Sequence, residues 1–212
     1  MSPEIPVTRI LLVRHGQTPT TGKELPGRAP GLHLAEKGRE QAARVAERLA
    51  DLHIDALYSS PLERALETAE PTASSTGLPV LEEPGLLETN VGDWTGRALS
   101  DLAKLLEWQT VQREPSTFRF PGGESFVEQR DRMRATIERI RSAHVGGTVV
   151  CFSHADPIRV FLSDALGMPL DALQRVSVSP CSVSAVAYRD GSEPVVLTVN
   201  STHSSLAELV AA

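Results

Sequence analysis

Ile10-Leu11-Leu12-Val13-Arg14-His15-Gly16 is an aliphatic run that ends on a cation, an imidazole and a residue without a side chain. Apolar residues in that density read as a buried strand. The last residues of such a strand emerge where open α/β sheets bind their ligands, outside the carboxyl ends of the strands. Arginine offers a planar fork of donors suited to phosphate, neutral histidine a nucleophilic nitrogen, and glycine a backbone that a neighbour can approach closely. Alone, the triplet fits a solvated strand end or a helix cap equally well. Its meaning depends on what the rest of the chain places beside it.

Outward from this strand the elements alternate. A Gly/Pro-rich loop, Thr18 to His33, leads to a helix expected over roughly 36–52, where Ala42, Val45, Ala46 and Leu49 fall at helical spacing. Ala56–Ser59 reads as a short strand. Ser60-Pro61-Leu62-Glu63 has the composition of a capping box opening a helix towards Ser74. Leu78–Leu81 suggests another strand. Residues 84–123 read as irregular, with one helix near 99–109 and loop over 112–123. An amphipathic helix is expected from about Glu124, with Phe126, Met133, Ile137 and Ile140 on one face and Arg130 at its edge. Thr148–Ser153 is a strongly apolar strand, and Asp156-Pro157 looks like the cap and first residue of a helix that stops at Gly167. Val183–Tyr188 and Val195–Val199 read as a hairpin turning at Asp190-Gly191. With no repeat or linker in view, residues 1–212 are expected to form a single α/β domain.

The whole chain narrows the classes further. At 41% hydrophobic and 23% charged it is ordinary for a folded protein, and its net charge of -6 argues against nucleic acid or anionic membranes as partners. An anionic substrate must therefore be drawn by a local basic pocket. No stretch approaches membrane-spanning length, and the N-terminus lacks a basic region followed by an apolar core. Cys151 lies in an apolar strand, and nothing places Cys181 beside it, a pattern that fits a reducing compartment and a cytoplasmic protein. A strand at 195–199 would be open either to a second copy, giving a homodimer, or to the tail after Ser201.

Three further segments give the first strand its meaning. Arg64 lies one turn into the helix that follows Ser59-Ser60-Pro61, where it can reach back towards the strand ends. Glu88 follows Leu86-Leu87 and precedes Gly92, Trp94 and Gly96. His154 ends the second apolar strand, after Ser153. Two strand-end histidines, two arginines and one carboxylate are the set required for phosphoryl transfer through a phosphohistidine. An imidazole attacks phosphorus, cations spread over its oxygens, and an acid protonates the leaving alkoxide.

In these segments, and in Pro121-Gly122-Gly123-Glu124-Ser125 between the last two, the chain resembles the histidine phosphatase superfamily, the phosphoglycerate mutase-like proteins. The resemblance runs from about residue 8 to about residue 188. It implies a three-layer αβα sandwich whose central sheet is mostly parallel with an antiparallel edge strand. It further implies that His15 is the residue phosphorylated, that Arg14, Arg64 and His154 bind the phosphate, and that Glu88 is the proton donor. Neither metal nor cofactor is implied, since the arginines supply the charge neutralisation that Mg²⁺ gives a kinase. The partner is a small phosphorylated metabolite.

Each residue also has a plainer reading. Arg64 would pair with Glu63 or Glu67 on its own helix, Glu88 would be one more surface acid, and His154 would be structural. Trp94 reads as packing, and Lys23 and Arg28 as loop charges. Thr21 stands where related sequences usually carry asparagine. Asp156 replaces a small residue and is expected to turn away and cap its helix, the rival being a hydrogen bond to substrate. The region Arg97 to Phe120 is short and holds few cations, which favours a phosphatase. A phosphomutase is the alternative, and a catalytically silent phosphate-binding module is a third reading.

Overall fold

The computed structural model describes residues 6–203 and 205–209. In chain order the elements are β1 (Val7–Arg14), β2 (Glu24–Leu25), α1 (Glu36–Leu49), β3 (Ala56–Ser59), α2 (Glu63–Thr76), β4 (Val80–Glu82), β5 (Arg97–Ala98), α3 (Leu99–Leu102), α4 (Leu106–Arg113), α5 (Phe126–Ala143), β6 (Thr148–Ser153), α6 (Ala155–Ala165), β7 (Val183–Arg189) and β8 (Val195–Ser201). The main sheet has the order β4-β3-β6-β1-β7-β8. Its first four strands are parallel, whereas β7 runs antiparallel to β1 and pairs in turn with the antiparallel edge strand β8.

The two-residue alternation of β1 divides the core. Leu11 and Val13 face a cluster built with Val45 and Leu49 of α1 and Ala69 of α2. Ile10 and Leu12 face the other side, against Met133, Ile137 and Ile140 of α5 and Ile158 and Leu162 of α6. Helices therefore cover both faces, and β6 between β1 and β3 is buried at all six residues. A third, aromatic cluster gathers Trp94, Phe118, Phe120 and Phe126 beside α4. Trp94 is thus packing, as expected. Leu206, in the tail, packs into the α1 side of the core.

Local departures have local causes. The segment expected as one helix near 99–109 is broken into α3 and α4, the second reaching Arg113. Leu102 and Val111 both belong to the aromatic cluster, yet on a continuous helix they would lie about two and a half turns apart, on opposite faces. The break lets both point inward. The capping box expected at Ser60 does not form: α2 starts at Glu63 with no side-chain cap, while Ser60 Oγ meets His154 and the Leu62 N–H (3.4 Å) and Glu63 accepts the Gly31 N–H. A capping box does open α5, between Ser125 and Glu128.

Candidate active site

Four parallel strands end on the same edge, and each delivers a residue there. Arg14 closes β1 and His15 follows it, with the His15 N–H donating to the Ser153 carbonyl at the end of β6 (2.9 Å). Ser60 follows β3, and its N–H donates to the Phe152 carbonyl (2.9 Å). His154 follows β6. Beyond β4 the chain turns through Pro84–Leu86 to reach Glu88. The five residues singled out by sequence converge here: Arg14, Glu88 and Asp156 act electrostatically on one another, Arg64 on both imidazoles, and the His15 and His154 rings lie edge to face with centroids 5.1 Å apart.

Gly16 is glycine because helix α1 sits directly on it. A Cβ there would meet the Gly38 carbonyl oxygen at 2.6 Å, and one on Gly38 would meet the Gln17 carbonyl oxygen at 2.1 Å. The Gly16 N–H donates to Thr68 Oγ1 (3.0 Å), whose hydroxyl donates to the Arg64 carbonyl (2.6 Å). The first and second motifs are thereby tied together.

His15 is buried, and its Nδ1 lies 2.7 Å from the Gly16 carbonyl oxygen. A carbonyl only accepts, so Nδ1 carries the hydrogen and Nε2 keeps its lone pair. Burial, reinforced by the Arg64 and Arg14 charges, pushes the imidazole down to about 3, so it is neutral at physiological pH. His154 is driven well below the ordinary histidine range for the same reasons. Its Nε2 is 2.8 Å from Ser60 Oγ. Arg64, fully buried, donates through Nη2 to the Gly27 carbonyl (2.8 Å), and Arg14 through Nη1 to the Val178 carbonyl (2.7 Å). What remains is telling. Arg14 Nε, Arg64 Nε and Nη1, and His154 Nδ1 are buried with no hydrogen-bond partner among the described residues. Buried polar groups are normally satisfied, so unpartnered nitrogens on three side chains of one site call for an explanation.

Glu88 lines the same cleft, half-buried. Burial and then the Asp156 carboxylate raise it to about 7, against the opposing pull of the Thr89 N–H and both arginines. Oε1 accepts from the Thr89 N–H (2.8 Å) and hydroxyl (3.3 Å), so in the protonated form the hydrogen resides on Oε2.

The cleft has a volume of about 290 Å³ and is walled by Leu25, Leu99, Trp108, Val111 and Phe120 on its apolar side, with Gln112, Gln174, Asp156 and Arg159 supplying polar groups. Asp156 does not cap its helix. His154 occupies the N-cap position, and Asp156 Oδ1 instead accepts from Arg159 Nη1 (3.1 Å), one turn on. It lines the cleft rather than turning away. Arg28, expected to be a loop charge, is also in use: Nε donates to the Glu88 carbonyl (2.7 Å) and Nη2 to Glu124 Oε1 (3.1 Å). Lys23 is indeed a loop charge, its ammonium on the Pro19 carbonyl. Thr21 Oγ1 accepts the Thr18 N–H (2.9 Å) within the loop. Ser60, Glu124, Arg132 and Arg159 were not marked by their sequence surroundings, although Glu124 sits inside the Pro-Gly-Gly-Glu-Ser run.

Known proteins resemble this chain over most of its length. The family described as histidine phosphatase superfamily (branch 1) matches residues 10–202. Phosphoserine phosphatase 1 of Hydrogenobacter thermophilus is 30% identical over 201 residues, covering 92% of this chain and 93% of that protein. A protein of Erwinia tasmaniensis named "Probable phosphoglycerate mutase GpmB" is 33% identical over 184 residues, 85% of each chain. Among solved structures, the mycobacterial glucosyl-3-phosphoglycerate phosphatase Rv2419c superposes with a TM-score of 0.83 at 27% identity, over 92% of this chain and 99% of that one. The chain belongs to the histidine phosphatase superfamily, branch 1, and is an α/β enzyme of phosphoryl transfer.

Proposed function

We propose that this protein hydrolyses a small phosphomonoester, without a metal, through a phosphohistidine on His15. The observation that carries the reading is the Nδ1–H of His15 held by the Gly16 carbonyl, which leaves Nε2 with a free lone pair beside the His154 ring and within the influence of Arg14 and Arg64, side chains that carry unpartnered buried nitrogens. In the first step His15 Nε2 forms a bond to phosphorus as the ester P–O bond breaks, and Glu88 Oε2 gives its proton to the departing alkoxide. The guanidinium groups and His154 Nδ1–H stabilise the charge on the three transferring oxygens. In the second step water attacks phosphorus, loses a proton to the Glu88 carboxylate and releases His15. Phosphate and an alcohol leave, and both residues return to their initial states.

A neutral His154 serves this role without a charge. When Nε2 accepts the Ser60 hydroxyl hydrogen, Nδ1 carries the proton and faces the phosphate. A phosphate dianion then raises the affinity of His154 for a second proton.

Hydrolysis is favoured over mutase chemistry by the lining charges. Its cations are Arg14, committed to the phosphate, and Arg159, paired with Asp156. Glu24 and Asp156 oppose a second acidic group on the substrate. The alcohol half is therefore small, faces the Trp108 and Phe120 wall, and presents hydroxyl or amine hydrogens to Asp156. The two thiols, both free and buried, support a cytoplasmic place of action; no helix of the described residues is long and apolar enough to cross a membrane.

The test is a rapid-quench experiment with ³²P-labelled substrate and chelator present. The proposal expects an acid-labile, base-stable phosphoenzyme in the wild type, none in His15→Ala, and free phosphate as the product. Label recovered on a second hydroxyl compound would establish the mutase, and stabilisation by phosphate with no phosphoenzyme would establish a binding module.

A further inference from the structure

We propose that Arg28, Glu124 and Arg132 form a clamp that positions Glu88, so that they are positioning residues for its proton transfer; this rests on the reading of Glu88 as the proton donor. Glu88 lies on a stretch that is neither strand nor helix, between the turns Pro84–Leu86 and Gly92–Trp94. Its backbone makes short turn bonds and accepts one bond from the Glu124 N–H at the Asn90 carbonyl (2.9 Å), but it has no strand ladder, so side-chain partners supply much of what holds it.

The partners come from elsewhere in the fold. Arg132 Nη1, on α5, donates to the Gly85 carbonyl (2.7 Å) and the Leu87 carbonyl (2.9 Å). Arg28 Nε, on the loop before α1, donates to the Glu88 carbonyl (2.7 Å). Glu124 Oε1 accepts the Asn90 N–H (2.9 Å). Four backbone positions around the acid, 85, 87, 88 and 90, are thus fixed by three charged side chains. Glu124 also joins the two cations, accepting from Arg28 Nη2 at 3.1 Å, Arg132 Nη2 at 2.8 Å and Arg132 Nε at 3.3 Å.

Burying these charges is a poor way to gain stability alone, since apolar residues of similar volume often serve as well. It is a good way to fix a backbone in one place, because charged hydrogen bonds are short and directional. The clamp also reaches the phosphate site. Gly27, next to Arg28, gives its carbonyl to Arg64 Nη2. Two consecutive residues therefore hold a phosphate-binding arginine and the proton donor at a set separation.

The experiment compares kcat/KM for an alkyl phosphate, whose alkoxide needs a proton to leave, with that for an aryl phosphate whose phenolate leaves unaided. Both are measured in wild type, Glu88→Gln, Glu124→Gln, Arg28→Met and Arg28→Lys, beside their melting temperatures. The clamp predicts that Glu124→Gln and Arg28→Met lose about tenfold or more on the alkyl ester, the scale of a misplaced catalytic group, and less than about twofold on the aryl ester. Arg28→Lys should recover part of the loss. If Glu124→Gln does not fold, Arg28→Met decides, since that change leaves the Glu124–Arg132 pair in place. Equal losses on both esters, with Glu88→Gln selective for the alkyl ester, would overturn the clamp and spare Glu88. Equal losses in Glu88→Gln itself would overturn the proton-donor reading and the clamp with it.

Discussion

As the proposed proton donor, the carboxyl of Glu88 has to be protonated when the alkoxide departs, and its environment states when that holds. Burial and the Asp156 charge raise it to about 7, so by simple titration the protonated fraction is roughly one tenth at pH 8 and one hundredth at pH 9. kcat/KM reports groups on the free enzyme. For an alkyl phosphomonoester it should therefore fall about tenfold per pH unit above pH ~7. For an aryl ester with a good leaving group it should stay level. His15 adds no limb in this range, because it is pushed down to about 3. The acid side belongs to the substrate, whose second ionisation lies near pH ~6 and is common to both esters. Asp156→Asn removes the second cause of the raised value, so the alkaline limb moves to lower pH. A bound dianion acts in the opposite direction, and the limb of kcat should lie above that of kcat/KM. A level alkyl profile from pH 6 to 9, or a limb that Asp156→Asn leaves in place, would refute the reasoning.

The same carboxyl gives a stability signature of opposite use. Its folded value lies above its unfolded one, so the native state holds the extra proton between about pH 4.5 and 7, and stability declines as pH rises through that window. The decline is complete above pH ~7 and amounts to about 1–3 kcal/mol once screening at the open cleft is allowed for. Thermal melts of Glu88→Gln should coincide with wild type near pH 4 and lie above it at pH 8.

Two further outcomes follow from buried groups. Arg64→Met removes a fully buried guanidinium with two unpartnered nitrogens; kcat/KM should fall by about 10²–10³, while the protein without phosphate melts at an equal or higher temperature and no longer gains from added phosphate. A lower melting temperature in phosphate-free buffer would count against the frustrated site. Gly38→Ala drives a methyl to within 2.1 Å of the Gln17 carbonyl oxygen and should cost about 1–3 kcal/mol by overpacking, read by denaturant titration, with activity lost in proportion as the His15 loop shifts; an unchanged midpoint would show that α1 moves freely.

Much of this molecule was legible because its chemistry is local. Ile10 to Gly16 holds a strand, its exit and two of the proposed site groups in seven positions, and the alternation of Leu11 and Val13 with Ile10 and Leu12 fixes which helices cover which face. What stayed hidden depends on distance along the chain. Arg28 reaches the Glu88 carbonyl across 60 positions and Glu124 across 96, and Ser60 meets His154 across 94; no periodicity or spacing rule sees such pairs. Asp156 misled for another reason. Helix-start propensity assigns it a cap, but with His154 at the N-cap position, an arginine one turn on offers the carboxylate a charged partner instead.

On the proposed phosphohistidine reading, the unpartnered nitrogens also account for what the site would select. Each buried polar group left unmade costs about 1–3 kcal/mol, and Arg14, Arg64 and His154 contribute four such nitrogens between them. The fold tolerates the cost because a single ligand can remove all of it at once. A phosphoryl group presents three terminal oxygens splayed about one centre, which suits N–H groups supplied by separate elements of the fold, whereas a carboxylate presents its two in one plane. A neutral imidazole beside them adds no charge of its own but directs a lone pair to that centre. On that reading, selection for a tetrahedral dianion and attack upon it arise from neighbouring groups of one pocket, and they would act before any contact with the alcohol half of the substrate is made.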